Sequence, residues 1–125
     1  MTLEYGFNIG QRRITVSTSG FKKTIQQLID DERYLNLAFS VGCTDPSVRE
    51  TIMPVELTNP IVEVSRLLST YLSRHNRKLT LEYTLLAGVN DQYAHIKGLI
   101  NLSKYLSAKI NLINLCNHTF TIINL

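Results

Sequence analysis

The 125-residue sequence has no tryptophan, only two cysteines and three prolines, and it contains no run of about 18 apolar residues. Its two thiols, Cys43 and Cys116, are too few for a disulfide framework. They cannot by themselves supply a four-thiolate zinc site or the ligands of an iron–sulfur cluster. Chemistry that needs such a centre must borrow it. Without a long apolar run no membrane-spanning helix is expected, and the opening MTLEYGFNIGQRR lacks the apolar stretch and cleavage site of a signal peptide. A cytoplasmic location with free thiols is the expectation. Asn117-His118-Thr119 fits a glycosylation sequon, which reads as chance in the absence of a secretory signal. Neither sign of charge dominates: 13 Lys and Arg against 10 Asp and Glu leave +3, a weak bias toward phosphate-bearing partners. With 44% hydrophobic and 18% charged residues, extended disorder and collagen-like repeats are excluded. A chain of this length is about one domain and buries roughly two-thirds of its unfolded surface.

What the sequence does hold is an ordered alternation of short β-rich runs and longer amphipathic stretches. Arg12 to Thr18 (RRITVST) reads as a strand, ended by Ser19-Gly20. A helix follows over Phe21 to about Arg33, because Phe21, Ile25, Leu28 and Ile29 share one face and Lys22, Lys23, Asp30 and Asp31 the other. Leu35 to Val41 (LNLAFSV) is a second strand. Asp45-Pro46 starts a short helix that must end before Pro54: the Asp side chain accepts from first-turn amides, and Pro loses no hydrogen bond there. Asn59-Pro60 starts another in the same way, running to about His75 with Val64, Leu67, Leu68, Tyr71 and Leu72 as its apolar stripe. Arg77 to Leu86 (RKLTLEYTLL) is the third strand, and Gly88-Val89-Asn90-Asp91 turns the chain. The helix from about Asp91 to Ser107 presents Ile96, Leu99, Ile100 and Leu106 to the core, and Lys109 to about Leu115 (KINLINL) is the fourth strand.

This order predicts an α/β fold with about four parallel strands, right-handed crossovers and covering helices. In parallel sheets and barrels, ligands meet the C-terminal strand ends and the loops after them. Here those ends carry Ser17 to Gly20, Ser40 to Cys43, Leu85 to Asp91, and Asn114 to Asn117. Small polar tips at all four positions point to one rim, whose ligand composition and spacing do not name.

Taken in order, GFNIGQRRITVSTSG (Gly6 to Gly20), LNLAFSVGCTDPSVRETIMPV (Leu35 to Val55), RKLTLEYTLLAGVND (Arg77 to Asp91) and KINLI (Lys109 to Ile113) carry a resemblance. They closely resemble the radical S-adenosylmethionine (SAM) methyltransferases that modify C2 of an adenine in 23S ribosomal RNA and also act on transfer RNA. The resemblance implies a partial radical SAM (β/α) barrel, of which this chain looks like the third to sixth strands. It implies SAM as cofactor, cleaved reductively at a [4Fe–4S] cluster, with ribosomal RNA and tRNA as partners. Absent from the sequence are the CxxxCxxC cluster loop, the Gly-Glu tip that meets the SAM amino group, and the region bearing the family's methyl-carrying cysteine. Residues 1–125 are then a single incomplete radical SAM core domain, a fragment retaining part of the SAM-binding rim and inactive alone. Two other readings stand beside it. One is a non-catalytic subunit of a split enzyme, completed at its open strand edges by a companion chain or a second copy. The other is an inactive pseudogene product of marginal stability.

By resemblance, Ser17 matches the SAM-binding serine at the third barrel strand, and its plain alternative is a turn residue ahead of a helix. Ser40-Val41-Gly42 falls on the family's Ser-Leu-His tip, so Ser40, Val41 and Gly42 are cofactor-binding candidates, with the histidine replaced by Gly42. Losing an imidazole removes a donor and a packing surface. Cys43 and Cys116 match neither cluster nor methyl-carrying cysteines and read as small hydrophobes. Glu82 either faces ligand inside the barrel or, the favoured reading, is a salt-bridged structural carboxylate. His75, His95 and His118 lack metal-ligand spacing and read as surface residues. Arg12-Arg13, Arg74, Arg77-Lys78 and Lys109 read as solvated charge at strand starts, away from the rim. Residues 118–125 (HTFTIINL) depart from the family pattern; an extra strand and a truncated reading frame are both open, with truncation preferred.

Overall fold

The β-branched runs and the Asp-Pro and Asn-Pro starts settle into strands and helices close to those positions. The structure, a computed structural model, describes residues 14–31, 35–75, 77–114 and 119–123, the last by backbone alone. The strands are β1 (Thr15–Thr18), β2 (Asn36–Ser40), β3 (Leu79–Leu85), β4 (Lys109–Asn114) and β5 (Thr119–Ile123). The helices are α1 (Lys22–Asp30), α2 (Pro46–Ile52), α3 (Ile61–His75) and α4 (Tyr93–Leu106), with a 3₁₀ turn at Pro54–Leu57 after α2. Arg12, Arg13, Arg33, Cys116, Asn117 and His118 lie outside the described residues.

The sheet order is β1-β2-β3-β4-β5, so spatial order repeats chain order. β1 to β4 are parallel, in keeping with the expected four-stranded α/β arrangement. When each right-handed crossover steps to the next strand in the same direction, every crossover helix falls on one face. Accordingly α1, α3 and α4 pack on a single set of strand residues, Leu37 and Phe39 of β2, Leu79, Leu81 and Tyr83 of β3, and Ile110 of β4. The alternate residues point to the opposite face, which no described helix covers. This one-sided layering is the wall of a partial barrel rather than a doubly wound sheet.

Three local expectations are revised. Asn59 does not cap the helix that follows it: its Oδ1 accepts from the Lys22 backbone N–H at 2.8 Å and so caps α1 across 37 residues. The first amide of α3, Ile61, instead donates to Glu56 Oε1 at 2.9 Å. Phe21, released from the first turn of α1 by an extended backbone, is 52% exposed rather than core. Third, residues within 118–125 form a strand: β5 runs antiparallel to β4, with Asn114 opposite Thr119 and Ile110 opposite Ile123. The outer edge of β4 is therefore paired, and the open edge predicted there is absent.

Candidate functional site

The uncovered face is polar because the strands alternate. Strand register aligns Ser17, Ala38, Thr80 and Lys109 in one row. The next row on that face carries Ser40, Glu82 and Asn111. Just beyond it, at the C-terminal ends of β2 and β3, a cleft of about 160 Å³ is lined by Ser40, Gly42, Met53, Glu82, Thr84 and Asn90, among others. Its position at the parallel strand tips is where such sheets bind ligands.

The rim is held from beneath by Arg49 of α2, a fully buried side chain. Its Nε donates to the Val41 carbonyl at 2.8 Å, one NH2 to the Ser19 carbonyl at 2.9 Å, and the other to Glu56 Oε1 at 3.1 Å. One guanidinium thus ties the ends of β1 and β2 to the 3₁₀ turn. It also lies 5.6 Å from the centre of the Phe39 ring, within cation–π range. Burial pushes the Arg49 pKa down and Glu56 pushes back; an arginine stays protonated throughout.

Asn90 performs the matching task at β3. Its side-chain amide donates to the Gly42 and Thr84 carbonyls, both at 2.8 Å, and its Oδ1 accepts from the Leu86 N–H at 2.8 Å. All of its side-chain bonds therefore join the tips of β2 and β3. The Tyr83 hydroxyl donates to the Asn90 carbonyl at 2.6 Å. Burial, and then the neighbouring Cys43 thiol, push the Tyr83 pKa well up, so the phenol remains a donor.

Among the site candidates, Ser40 and Gly42 line the cleft. Ser17 is exposed on the open face, one row away from the Ser40 row and outside the cleft lining. Val41 is set apart: its side chain is buried in the helix-covered core. Its N–H donates to the Glu82 carbonyl at 3.0 Å, and Arg49 occupies its carbonyl, so it presents no free group to the open face. Gly42 has φ +71°, and a Cβ there would sit 2.7 Å from Met53 Sδ. Met53 fills the space that a side chain at position 42 would enter.

Glu82 departs from the structural reading: among the described residues it has no ion pair, and its carboxylate faces the cleft. His75 is also unlike its expectation, since it is buried with its ring 4.8 Å from Tyr71. Tyr71 in turn donates to the Leu35 carbonyl and accepts from the Leu35 N–H, satisfying both at 2.6 and 2.7 Å. His95 is half-buried, while Arg74, Lys78 and Lys109 are exposed, as solvated charge should be. Sequence reasoning missed Arg49, Glu56, Asn90 and Met53 as site-building residues. An Arg and a Glu seven positions apart around two prolines, DPSVRETIMPVE, was the available signal.

The residues do not fit an iron–sulfur cluster. Cys43 is buried at the β2 tip, and among the described residues no three His, Cys, Asp or Glu side chains gather to hold a metal. The cleft is lined by Ile52, Met53, Leu86 and Ile113 as well as by polar side chains, and its volume falls below the roughly 300–1,000 Å³ of a complete small-molecule site. A larger groove of about 460 Å³ lies in the helix layer between α3 and α4. It is remote from the open sheet face, and the Ser65 hydroxyl within it is already used by the Ile61 carbonyl. No helix among the described residues is long and apolar enough to cross a membrane.

No family model matches the chain. Individual proteins do. The probable dual-specificity RNA methyltransferase RlmN of Caldanaerobacter subterraneus subsp. tengcongensis is 37% identical over 109 residues, which are 87% of this chain and 32% of the relative. The protein of the same description from Clostridium perfringens is 38% identical over 110 residues, 88% of this chain and 32% of its own length. A radical SAM methyltransferase structure from Sphaerobacter thermophilus superposes with a TM-score of 0.80 at 36% identity, over 89% of this chain and 33% of that one. The chain spans about a third of the length of these relatives.

Proposed function

We propose that this chain, a homologue of radical SAM RNA methyltransferases over the third of their length that it spans, contributes part of a SAM-binding rim and does not methylate RNA unaided. The carrying observation is the uncovered sheet face, where Ser40, Glu82, Thr84 and Asn90 converge on a cleft at the parallel strand tips. In this reading residues 1–125 are one incomplete radical SAM core domain in the cytoplasm. Ser40, with Ser17 from the neighbouring row, offers hydroxyls to SAM. SAM supplies the methyl group and the radical precursor of such chemistry. This chain's own residues bind and orient it and hold the rim rigid through Arg49 and Asn90. The substrate class is ribosomal RNA, with tRNA second, and the modified atom is adenine C2.

The test is direct. Purified chain is reconstituted anaerobically with iron and sulfide, then assayed for iron content, SAM binding and methyl transfer to 23S ribosomal RNA. The expected result is weak, saturable SAM binding without a stoichiometric cluster or methyl transfer. A stoichiometric [4Fe–4S] cluster or methylation by the chain alone overturns the reading.

A companion chain is the second reading, favoured by β1. Its outer edge has no partner among the described residues, and Thr15 and Ser17 on it are exposed. Such an edge accepts a further strand through main-chain hydrogen bonds. Because β5 already occupies the far side, completion would come at β1. Co-purification with a polypeptide bearing CxxxCxxC, with restored cluster content, supports it; a monodisperse monomer at high concentration in the presence of that polypeptide overturns it.

A further inference from the structure

The groove between α3 and α4 takes no part in the rim, and its lining differs from that of the open sheet face. Ile61, Val62, Leu102 and Tyr105 supply its apolar walls. Val62 and Tyr105 are 53% and 57% exposed, two of the six large hydrophobic side chains left in solvent among the described residues. The depth comes from two small residues that line it from opposite helices, Ser65 on α3 and Gly98 on α4. A larger residue cannot replace Gly98, because the Thr44 hydroxyl already stands where its Cβ would point. One charge lines the groove, and it is positive: Arg66 of α3. Among the described residues its guanidinium makes no ion pair or hydrogen bond. Of the acids beside lining residues in sequence, Glu63 pairs with Lys22 at 3.0 Å and Asp45 accepts from Ser47. α4 carries no acid from Tyr93 to Leu106, while Lys97 and Lys104, both exposed, flank Gly98 and Tyr105.

An apolar trough with an unpaired guanidinium at its side is complementary to an anionic amphiphile. The trough removes an apolar body from water, and the planar guanidinium takes a carboxylate on two parallel N–H donors. A volume of about 460 Å³ falls in the range of small-molecule sites. It is room for roughly 15 waters at ~30 Å³ each, enough for a medium-chain acid. We propose that the α3–α4 groove is a second binding site, for a small carboxylate with an apolar body, in which Arg66 holds the carboxylate and Ile61, Val62 and Leu102 hold the body. The site draws nothing from the SAM-rim reading, and either can fail without the other.

The full chain is titrated with sodium octanoate while the methyl groups of Ile61, Val62 and Leu102 are followed by NMR. Octylammonium chloride reverses the head-group charge, octanol removes it, and acetate removes the apolar body. Octanoate should give saturable shifts at these methyls and bind more tightly than octanol, with octylammonium weaker than both and acetate not saturating. Arg66→Gln should weaken octanoate about 5- to 30-fold and leave octanol unchanged. Arg66→Glu should invert the order, so that octylammonium binds more tightly than octanoate; a disturbed fold would instead weaken every ligand together. Equal affinities of wild type for octanoate and octylammonium, an order that Arg66→Glu leaves unchanged, or shifts confined to residues outside the groove overturns the proposal. A dimer in sedimentation that Val62→Glu dissociates and octanoate leaves intact would assign the groove to a second copy of the chain and overturn it as well.

Discussion

Arg49 and Glu56 form an ion pair at 3.1 Å with side chains 0% and 7% exposed. Glu56 also accepts the first amide of α3, and Arg49 also holds the carbonyls of Ser19 and Val41. Removing one member leaves the other charge buried and unpaired. Arg49→Met or Glu56→Gln should each destabilise the chain by about 3–5 kcal/mol in urea unfolding. The double variant Arg49→Met/Glu56→Gln should lose less than the sum of the single losses, since no orphan charge remains. Additive losses would show that the pair is not energetically coupled.

Asn90 joins the tips of β2 and β3 through three hydrogen bonds of one side chain. Asn90→Ala should cost about 2–4 kcal/mol, chiefly from carbonyl and amide groups left without partners. Asn90→Asp should be worse at pH 7 than at pH 4, because an ionised carboxylate would face the Gly42 and Thr84 carbonyls and its protonated form relieves that repulsion. Paired melts at the two pH values read the difference; pH-independent behaviour would mean that the loop turns the side chain outward.

Gly42 at φ +71° sits against the Met53 sulfur. Gly42→His should destabilise this chain by about 1–3 kcal/mol through backbone strain and overpacking. Adding Met53→Ala should recover part of that loss, because it frees the volume but leaves the strain. Thermal melts of the single and double variants test it; no recovery in the double variant would place the cost in the backbone alone.

The Asp45 carboxylate accepts from the Ser47 hydroxyl at 2.7 Å and from the Ser47 amide at 2.9 Å. These bonds, the hydroxyl first, hold its pKa below the usual 3.8. A depressed carboxylate stabilises the fold above its unfolded pKa and loses that contribution as pH falls through the folded value. The cap should therefore be intact at pH 5 and lost progressively below about pH 4. An NMR titration of Asp45 checks the direction, and Asp45→Asn should flatten that part of the acid limb. An Asp45 titrating above 3.8 would contradict the capped geometry.

β5 covers the outer edge of β4 over five of its six residues, from Asn114 opposite Thr119 to Ile110 opposite Ile123. A chain ending at Asn114 would present a bare parallel-strand edge, which promotes association. Sedimentation velocity should show concentration-dependent dimers or larger species for that truncation and less for the full chain. Identical sedimentation would mean that β5 does not protect the edge.

The sequence showed most of the fold because strand and helix periods alternate cleanly, and because Asp45-Pro46 carries its helix start within four residues. Asn59 misled for the opposite reason: a short polar side chain is equally able to cap a helix 37 residues away, and local pattern carries no record of that partner. Ser40 and Gly42, candidates by resemblance, stand where expected at a strand tip and line its cleft. Val41 shares the tip, but strand alternation turns its side chain to the core, a consequence of register rather than motif. Arg49 escaped notice because a charge on a short helix looks like solvated surface until its three acceptors are assembled from β1, β2 and the 3₁₀ turn. Glu82 was read as either an inward residue or a salt-bridged structural one, with the second favoured; that it has no ion pair among the described residues could be known only from the sheet.

The row of strands β1 to β4 follows the chain without a skip. Each strand finds its neighbour one crossover away, and none has to be threaded between two already in place. Folding can therefore begin on any adjacent pair and grow outward by accretion, as in a repeat protein, with low contact order for a parallel sheet. The same wiring makes the architecture divisible. Cutting such a chain at a crossover shortens the row and leaves an edge, where cutting a doubly wound sheet would remove its middle.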